Sequence, residues 1–355
     1  MSIHETRAMN AYSHNTLSKR TRIYIRFFLL FVPFVILNGC SDSPESVSAG
    51  FRIGMVFDAA GKDDLSFNTN AWRGSQMAKE EFDIEISDIE PGDPSMIEPA
   101  IRTLAEQNYD LIIGVGFANA PYIEKVSGEY PGAHFVIVDT RVEGPNVASL
   151  LFEEHEGAFL VGMAAGMLTT TNKIGFIGGM NIPIIHRYHL GYKSGAEYVN
   201  PDIDVFESYA GVTMDAWNDP TKGKEMALSQ ISRGADIVFA AAGATGLGAF
   251  DAAEEQGARI IGCDANQNYI KPGYVLTSML KRLEVAVYEI IKQSYLGEFK
   301  AGDHIYSIKN NGIGYAVDEY NRDLLPPDVI ERLEEAKTAI IEGWLEVPDY
   351  YDTLR

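Results

Sequence analysis

The chain is poor in cysteine, in positive charge and in long apolar runs. It has two cysteines in 355 residues, Cys40 and Cys263. Two thiols build neither a disulfide framework nor a Zn site. Lys and Arg number 29 against 50 Asp and Glu, a net charge of −21. Phosphate binding needs clustered Lys and Arg, and an anionic bilayer needs a basic face, so nucleic acid is excluded as a partner and surface adsorption to lipid is disfavoured. Catalytic signatures are missing as well. There is no nucleophile elbow, no HExxH and no nucleophile or acid/base pair that can be assembled from the sequence. The expectation is a protein that is not an enzyme and carries no cofactor or metal. What is present is an ordinary folded composition, 46% hydrophobic and 22% charged. The length suffices for two domains.

The longest apolar run, FFLLFVPFVIL from Phe27 to Leu37, is too short to span a bilayer, and Pro33 interrupts it. Lys19, Arg20, Arg22 and Arg26 precede it, so the pair reads as the basic and apolar regions of a secretory signal. Leu37-Asn38-Gly39-Cys40 is similar to a bacterial lipobox, in which the Cys becomes the lipidated first residue of the mature protein. Asn38 departs from the small or apolar residue usual there, and an uncleaved signal anchor is the competing reading. Residues 1–39 are expected to be the signal peptide. Residues 40–50 are expected to be a flexible polar tether, since SDSPESVSAG has nothing to bury. The expected location is the bacterial cell envelope, lipid-anchored through Cys40, on the periplasmic face or the cell surface. Cys263, in ARIIGCD, reads as a small buried apolar residue.

From residue 51 onward short Val- and Ile-rich runs alternate with helical patterns. FRIGMVF, FDIEISDIE, DLIIGVG and AHFVIVD read as strands, separated by helices over 70–82, PSMIEPAIRTLAEQN and APYIEKVSGEY. Ser95 is a candidate N-cap three residues before Glu98. The pattern restarts at 153 with a small-residue helix, then KIGFIGGM, IDVFESYA, ADIVFAAAG, ARIIGCD and YVLTSML as strands with helices between. Apolar strands joined by helices indicate parallel sheets covered on both faces. The fold class is therefore α/β, with two doubly wound parallel-sheet lobes. The first lobe is placed at 51–152 plus 273–307, the second at 153–272 plus 308–355, so the chain crosses between them at hinge segments.

In such sheets ligands bind beyond the carboxyl ends of the strands. Those positions hold Asp58, Phe117 and Asn119, Asp139, Gly243, Asp264 and Lys281. One Asp at a strand end is most simply a turn or cap residue. Three in register favour a ligand, because each carboxylate accepts two hydrogen bonds and can hold sugar hydroxyls or a base N–H edge. Phe67 and Trp217 are large rings on polar segments, with no helical or alternating apolar partners. One from each lobe would sandwich a flat ligand. Around Phe67, the residues Lys62, Asp63 and Asp64 read as solvated turn residues. Gly175, Gly178 and Gly179 do not match a dinucleotide fingerprint, with Pro183 interrupting the helix start, and suggest a tight strand-to-loop turn instead. AAGATGLG at 241–248 lacks the Lys and Ser/Thr of a P-loop. His186 and His189 have no further ligand nearby and read as surface or cleft-rim residues.

Taken together, the lipobox, FDAAGKDDLSFNTNAWRG, GVGF, HFVIVD, KIGFIGGMNIPIIHRYHLGYKSGA, WNDPTKGKEMA, GCDANQ and LTSMLKRLE resemble the basic membrane protein family of bacterial lipoproteins. Its best-understood members are purine nucleoside receptors of the PnrA type. The resemblance runs in order from about residue 50 to the last helix. It implies a periplasmic-binding-protein-like type I fold serving an ABC importer, with a permease as partner and guanosine, inosine or adenosine as ligand. Asp58 would read the N–H edge of the base, and Phe67 and Trp217 would stack on its two faces. The nucleoside receptors have Phe where this chain has Trp217. Asn68 would bond the ligand or fix the loop. Asp139, Asp264 and Lys281 would engage the ribose hydroxyls, with Gly243 giving a backbone contact, although Lys281 is equally placed to neutralise Asp264. Riboflavin or a simple sugar on the same fold, and a surface adhesin or antigen role, are the alternatives.

Overall fold

The structure is a computed structural model that describes residues 50–58 and 61–355. The expected signal peptide, Cys40 and the tether up to residue 49 lie outside the described residues. The first run comprises β1 (Phe51–Val56), α1 (Phe67–Glu81), β2 (Ile84–Ile89), α2 (Ile97–Glu106), β3 (Leu111–Gly114), α3 (Ala120–Glu129), β4 (His134–Val138) and β5 (Val147–Phe152). The second comprises α4 (Glu154–Leu168), β6 (Lys173–Met180), α5 (Pro183–Val199), β7 (Asp204–Gly211), α6 (Pro220–Ser232), β8 (Ile237–Ala241), α7 (Ala244–Gln256), β9 (Arg259–Asp264) and β10 (Val275–Lys281). The chain ends with α8 (Leu283–Tyr295), β11 (Gly302–Tyr306), β12 (Ile313–Tyr315), α9 (Pro327–Ile341) and a 3-10 turn at Tyr350–Leu354.

These strands form two six-stranded sheets, in the orders β11-β5-β4-β3-β1-β2 and β12-β10-β9-β8-β6-β7. All pairings are parallel except β12 against β10. In each sheet the order reverses beside the first strand, at β1/β3 and at β6/β8, which is the doubly wound pattern with a crevice at the switch point. The central strands β3 and β8 are buried along their whole length, which explains their unbroken apolar sequences.

One strand lies in a different lobe from the one expected. YVLTSML was assigned to the first lobe, but β10 pairs in parallel with β9, from Val275 beside Ile260 to Leu280 beside Asp264. The second sheet thus gains its fifth parallel strand before the chain crosses. Only α8 and β11 return to the first lobe. There β11 lines up with β5, and α8 lies so close to α1 that a Cβ on Gly74 would sit 2.5 Å from the Glu284 carbonyl oxygen. Three segments therefore cross between the lobes, after Phe152, after Lys281 and after Tyr306. They are tied to one another by Glu153 N to Tyr306 O (2.8 Å) and Arg282 N to Gly312 O (2.9 Å).

Three local expectations also change. Ser95 does not cap α2; it sits in a 3-10 turn, Pro94–Met96, and its own N–H donates to the Asp93 carboxylate. Pro183 does not interrupt α5 but opens it, since a first-turn residue has no partner for the missing N–H. Gly175, Gly178 and Gly179 form no turn; they lie inside β6, where neighbouring side chains press against the bare backbone. No helix among the described residues is long and apolar enough to cross a membrane.

Candidate functional site

A cavity lies between the lobes at the carboxyl ends of both sheets, with an empty volume of about 550 Å³. Small-molecule sites typically enclose roughly 300–1,000 Å³. The first lobe contributes Asp58, Asp64, Phe67, Gly116, Phe117 and Asp139, and the second Ile184, Ile185, Tyr188, Trp217, Ala241, Gly243, Cys263 and Asp264. The expected residues Asp58, Phe67, Phe117, Asp139, Trp217, Gly243 and Asp264 are thus brought to one cavity. Asn68, Asn119 and Lys281 are not on its wall; all three are buried behind it.

The wall near β1 is organised from behind. Asn68 is fully buried, and its Nδ2 donates to Asp58 Oδ1 at 2.6 Å, fixing the carboxylate. Gly116 faces the same carboxylate with φ 92°, and a Cβ there would lie 3.1 Å from Asp58 Oδ2. Asn119 closes the end of β3 by donating to the Val115 carbonyl at 2.8 Å. Asp64 is not the solvated residue expected. It is buried and accepts from the backbone N–H groups of Ser66, Asn68 and Thr69 at 2.9, 3.0 and 3.0 Å. It thereby closes the amino end of α1, where N–H groups have no partners of their own, and sets the position of Phe67 at the first turn. Burial pushes Asp64 up to about 6 in spite of these donors. Its neighbours behave as expected: Asp63 is exposed, and Lys62 pairs with Asp88.

Asp139 and Asp264 end β4 and β9, and both adopt left-handed backbone, φ 74° and φ 64°. Few residues other than Gly and Asn/Asp tolerate this region, and such strain concentrates at functional sites. Behind them Lys281 is fully buried. Its Nζ lies 2.5 Å from Asp139 Oδ1 and 3.0 Å from Glu154 Oε1. The Asp139 contact is a close, buried ion pair. The same Nζ sits 5.1 Å from the centre of the Phe67 ring, a cation–π distance. Lys281 therefore neutralises Asp139 and Glu154 rather than pairing directly with Asp264. It reaches the latter through the Tyr188 hydroxyl, 3.5 Å from Nζ, which donates to Asp264 Oδ1 at 2.9 Å.

The electrostatics follow from this sharing. Burial pushes the Asp139 carboxyl up to about 7, because its lysine is divided with Glu154. Burial raises Asp264 too, against the pull of Lys281 and the Tyr188 hydroxyl. Glu154 stays below the usual carboxylate range: burial opposes it, but Lys281 on one oxygen and Arg187 on the other outweigh burial. The Lys281 ammonium, though buried, is held above the ordinary lysine value by Asp139 and Glu154.

Trp217 lies flat against β6. A Cβ on Gly179 would approach its ring to 2.2 Å, so that glycine makes the ring's seat. Its Nε1 is buried and has no hydrogen-bond partner among the described residues. Gly243, at φ 54°, follows β8 beside the Trp217 backbone. The lobes touch at the cavity rim, through Ser66 Oγ to the Cys263 carbonyl (2.9 Å), Asn70 Nδ2 to the Asp264 carbonyl (3.1 Å) and Gln267 Nε2 to the Leu65 carbonyl (2.9 Å). Four lining residues are carboxylic acids and none is Lys or Arg. A neutral hydroxylated ligand suits this wall; a phosphate does not.

Tyr188, Glu154 and Asp64 were not singled out as site residues. Tyr188 and Glu154 sit inside helices, and no spacing rule marks a helical tyrosine as cavity-facing. His186 and His189 lie half-buried, beside Asn181 and Glu207, and neither lines the cavity. Cys263 is buried as expected, although it also borders the cavity.

The chain matches the family described as ABC transporter substrate-binding protein PnrA-like over residues 51–349. It is 31% identical to a CD4+ T-cell-stimulating antigen of Listeria innocua, over 93% of this chain and 99% of that one. It is 32% identical to the ABC transporter nucleoside-binding protein BmpA of Lactococcus lactis, over 88% of this chain and 95% of that one. Among solved structures, an ABC transporter solute-binding protein of Aeropyrum pernix superposes with a TM-score of 0.79 at 30% identity, covering 85% of this chain and 95% of that one. This is the periplasmic-binding-protein type I fold. The family is one of solute-binding proteins, not enzymes, and it implies a small-molecule ligand and an ABC permease as partner. Relatives carry lipoprotein and membrane-protein names, consistent with a place at the cell envelope. The chain belongs to the Bmp family of PnrA-like ABC transporter substrate-binding proteins.

Proposed function

We propose that this protein is a lipid-anchored receptor, held to the membrane through Cys40, that binds a purine nucleoside between its lobes and passes it to an ABC permease. The observation that carries the ligand class is the lining of one cavity: a ring from each lobe, Phe67 and Trp217, with carboxylates at strand ends of both lobes and no lining cation. The two rings take the faces of the base, each stacking contact contributing roughly 1–3 kcal/mol. Asp58, steadied by Asn68, accepts from the base edge. Asp139 and Asp264 accept from the ribose hydroxyls, and Gly243 leaves room for a backbone contact. Lys281 acts from behind, partly offsetting the burial that favours the neutral Asp139 carboxyl and holding that carboxyl in place. The Trp217 Nε1, buried and unpaired among the described residues, is a donor available to the ligand. The nucleoside-binding relative supports the same reading.

A free sugar would leave one ring without a partner, and a flavin needs a longer slot than a nucleoside. The antigen name of the Listeria relative is compatible with exposure at the cell surface and does not compete with ligand binding. The test is the base edge. Asp58→Asn should weaken guanosine and inosine more than adenosine, because N1–H needs an acceptor while adenine offers an acceptor that the amide can serve. Calorimetric titration of the three nucleosides checks this; equal losses for all three would remove Asp58 from base recognition.

A further inference from the structure

We propose that the C-terminal segment around Asp349 and Tyr351 is a positioning strap for the cavity, acting through Arg187 and Glu154 on Lys281 and hence on Asp139. The inference rests on reading that cavity as the ligand site. Arg187 is buried on α5, and its guanidinium is gripped from several sides. Nε and Nη2 make a two-pronged pair with Asp349, at 2.8 and 2.9 Å. Nη1 donates to the Phe152 carbonyl at 2.7 Å and to Glu154 Oε2 at 2.5 Å. Nη2 also reaches Glu153 Oε2 at 2.6 Å. The Tyr351 ring covers the guanidinium, 4.7 Å from its carbon.

The first interlobe crossover, Phe152 to Glu154, is thus clamped onto α5 by a cation that the end of the chain holds in place. Glu154 has one oxygen on Arg187 and the other on Lys281, so the position of one cation limits the other. Among the described residues, Asp139, Glu153, Glu154 and Asp349 pair with these two cations, and Asp264 reaches Lys281 through the Tyr188 hydroxyl. Removing one anion lets Arg187 close on the remaining ones and draws Glu154 away from Lys281. A buried charge network of this kind transmits such shifts because each partner has few alternatives. Glu153, His155 and Asp349 present atoms spaced for a metal ion, but Arg187 already donates to all three, which gives the cluster its occupant.

The test compares the full chain with Asp349→Ala, Asp349→Glu and, as a surface control outside the strap, Asp323→Ala, an exposed residue. The first readout needs no ligand: the 15N resonance of the Lys281 ammonium. It should shift or broaden in Asp349→Ala, return in Asp349→Glu and stay unchanged in Asp323→Ala. The second is calorimetric titration with guanosine, expected to weaken roughly tenfold in Asp349→Ala. In a double-mutant cycle, Asp349→Ala and Asp139→Asn should be non-additive, although the residues share no direct contact. If Asp349→Ala does not fold, Asp349→Asn carries the same comparisons. An unchanged Lys281 signal, or additive effects on affinity, would overturn the strap. Wild-type protein that ignores guanosine while the Lys281 signal still responds would refute the nucleoside reading and uphold the strap.

Discussion

Asp139 joins strained backbone, deep burial and a shared cation in one side chain. Its carboxyl is pushed up to about 7 by burial, so near neutrality it is only partly ionised. Ligand hydroxyls that donate to it favour the ionised form. Binding must then expel a proton below pH 7, and the affinity should rise as pH is raised from about 5 to 8 and level off above. The facing groups are Lys281 and Glu154, with Asp264, itself raised by burial, beyond the Tyr188 hydroxyl. Titrations in buffers of different ionisation enthalpy would detect the released proton, and Asp139→Asn should abolish both the release and the slope. An affinity that is flat across this range would show that the ligand does not depend on a charged Asp139.

Elements are placed by close backbone approach as much as by apolar faces. Helix α4 is buried on nearly every side and meets α5 at glycines. A Cβ on Gly195 would lie 1.9 Å from the Phe159 carbonyl oxygen, and one on Gly162 would lie 2.1 Å from that of Tyr192. These are backbone atoms that cannot swing aside. Because α5 also carries Ile184, Ile185, Tyr188 and Arg187, forcing the helices apart disturbs the cavity wall. Gly195→Ala should therefore lower stability by about 1–3 kcal/mol and weaken ligand binding as well; chemical denaturation with parallel titration checks this. A stability loss without any change in affinity would separate the helix pair from the site.

At this scale the limits of sequence reading are concrete. β1, β3, β4, β8 and β9 were legible because each is a short apolar run that stops at a loop, and the residues at or just past those ends, Asp58, Phe117, Asp139, Gly243 and Asp264, converge on the cavity. The lobe of YVLTSML was not legible, since a strand's sheet is set by its pairing partner and not by its own pattern. Asp64 was misread because a turn carboxylate and a helix-closing carboxylate have the same sequence context until the fold buries one of them. Glu154 and Tyr188 were hidden for a different reason. Their roles come from Lys281 and Asp264, which are distant in sequence and adjacent only after the chain has crossed between lobes.

The described residues form two six-stranded sheets of matching strand order, joined by three tied crossovers, with the cavity bordered by contacts between the start of α1 and the end of β9. A receptor of this form holds its ligand by enclosure, and neither lobe alone supplies both aromatic walls. Its acidic lining disfavours a phosphorylated ligand, because no lining side chain is positively charged. Enclosure also means that a tightly bound ligand survives purification. The most direct measurement is mass spectrometry of the small molecules released when the purified protein is denatured. The account predicts a purine nucleoside in near-stoichiometric amount, without its 5′-phosphate. Release of a flavin, a free sugar or a nucleotide in its place would contradict it.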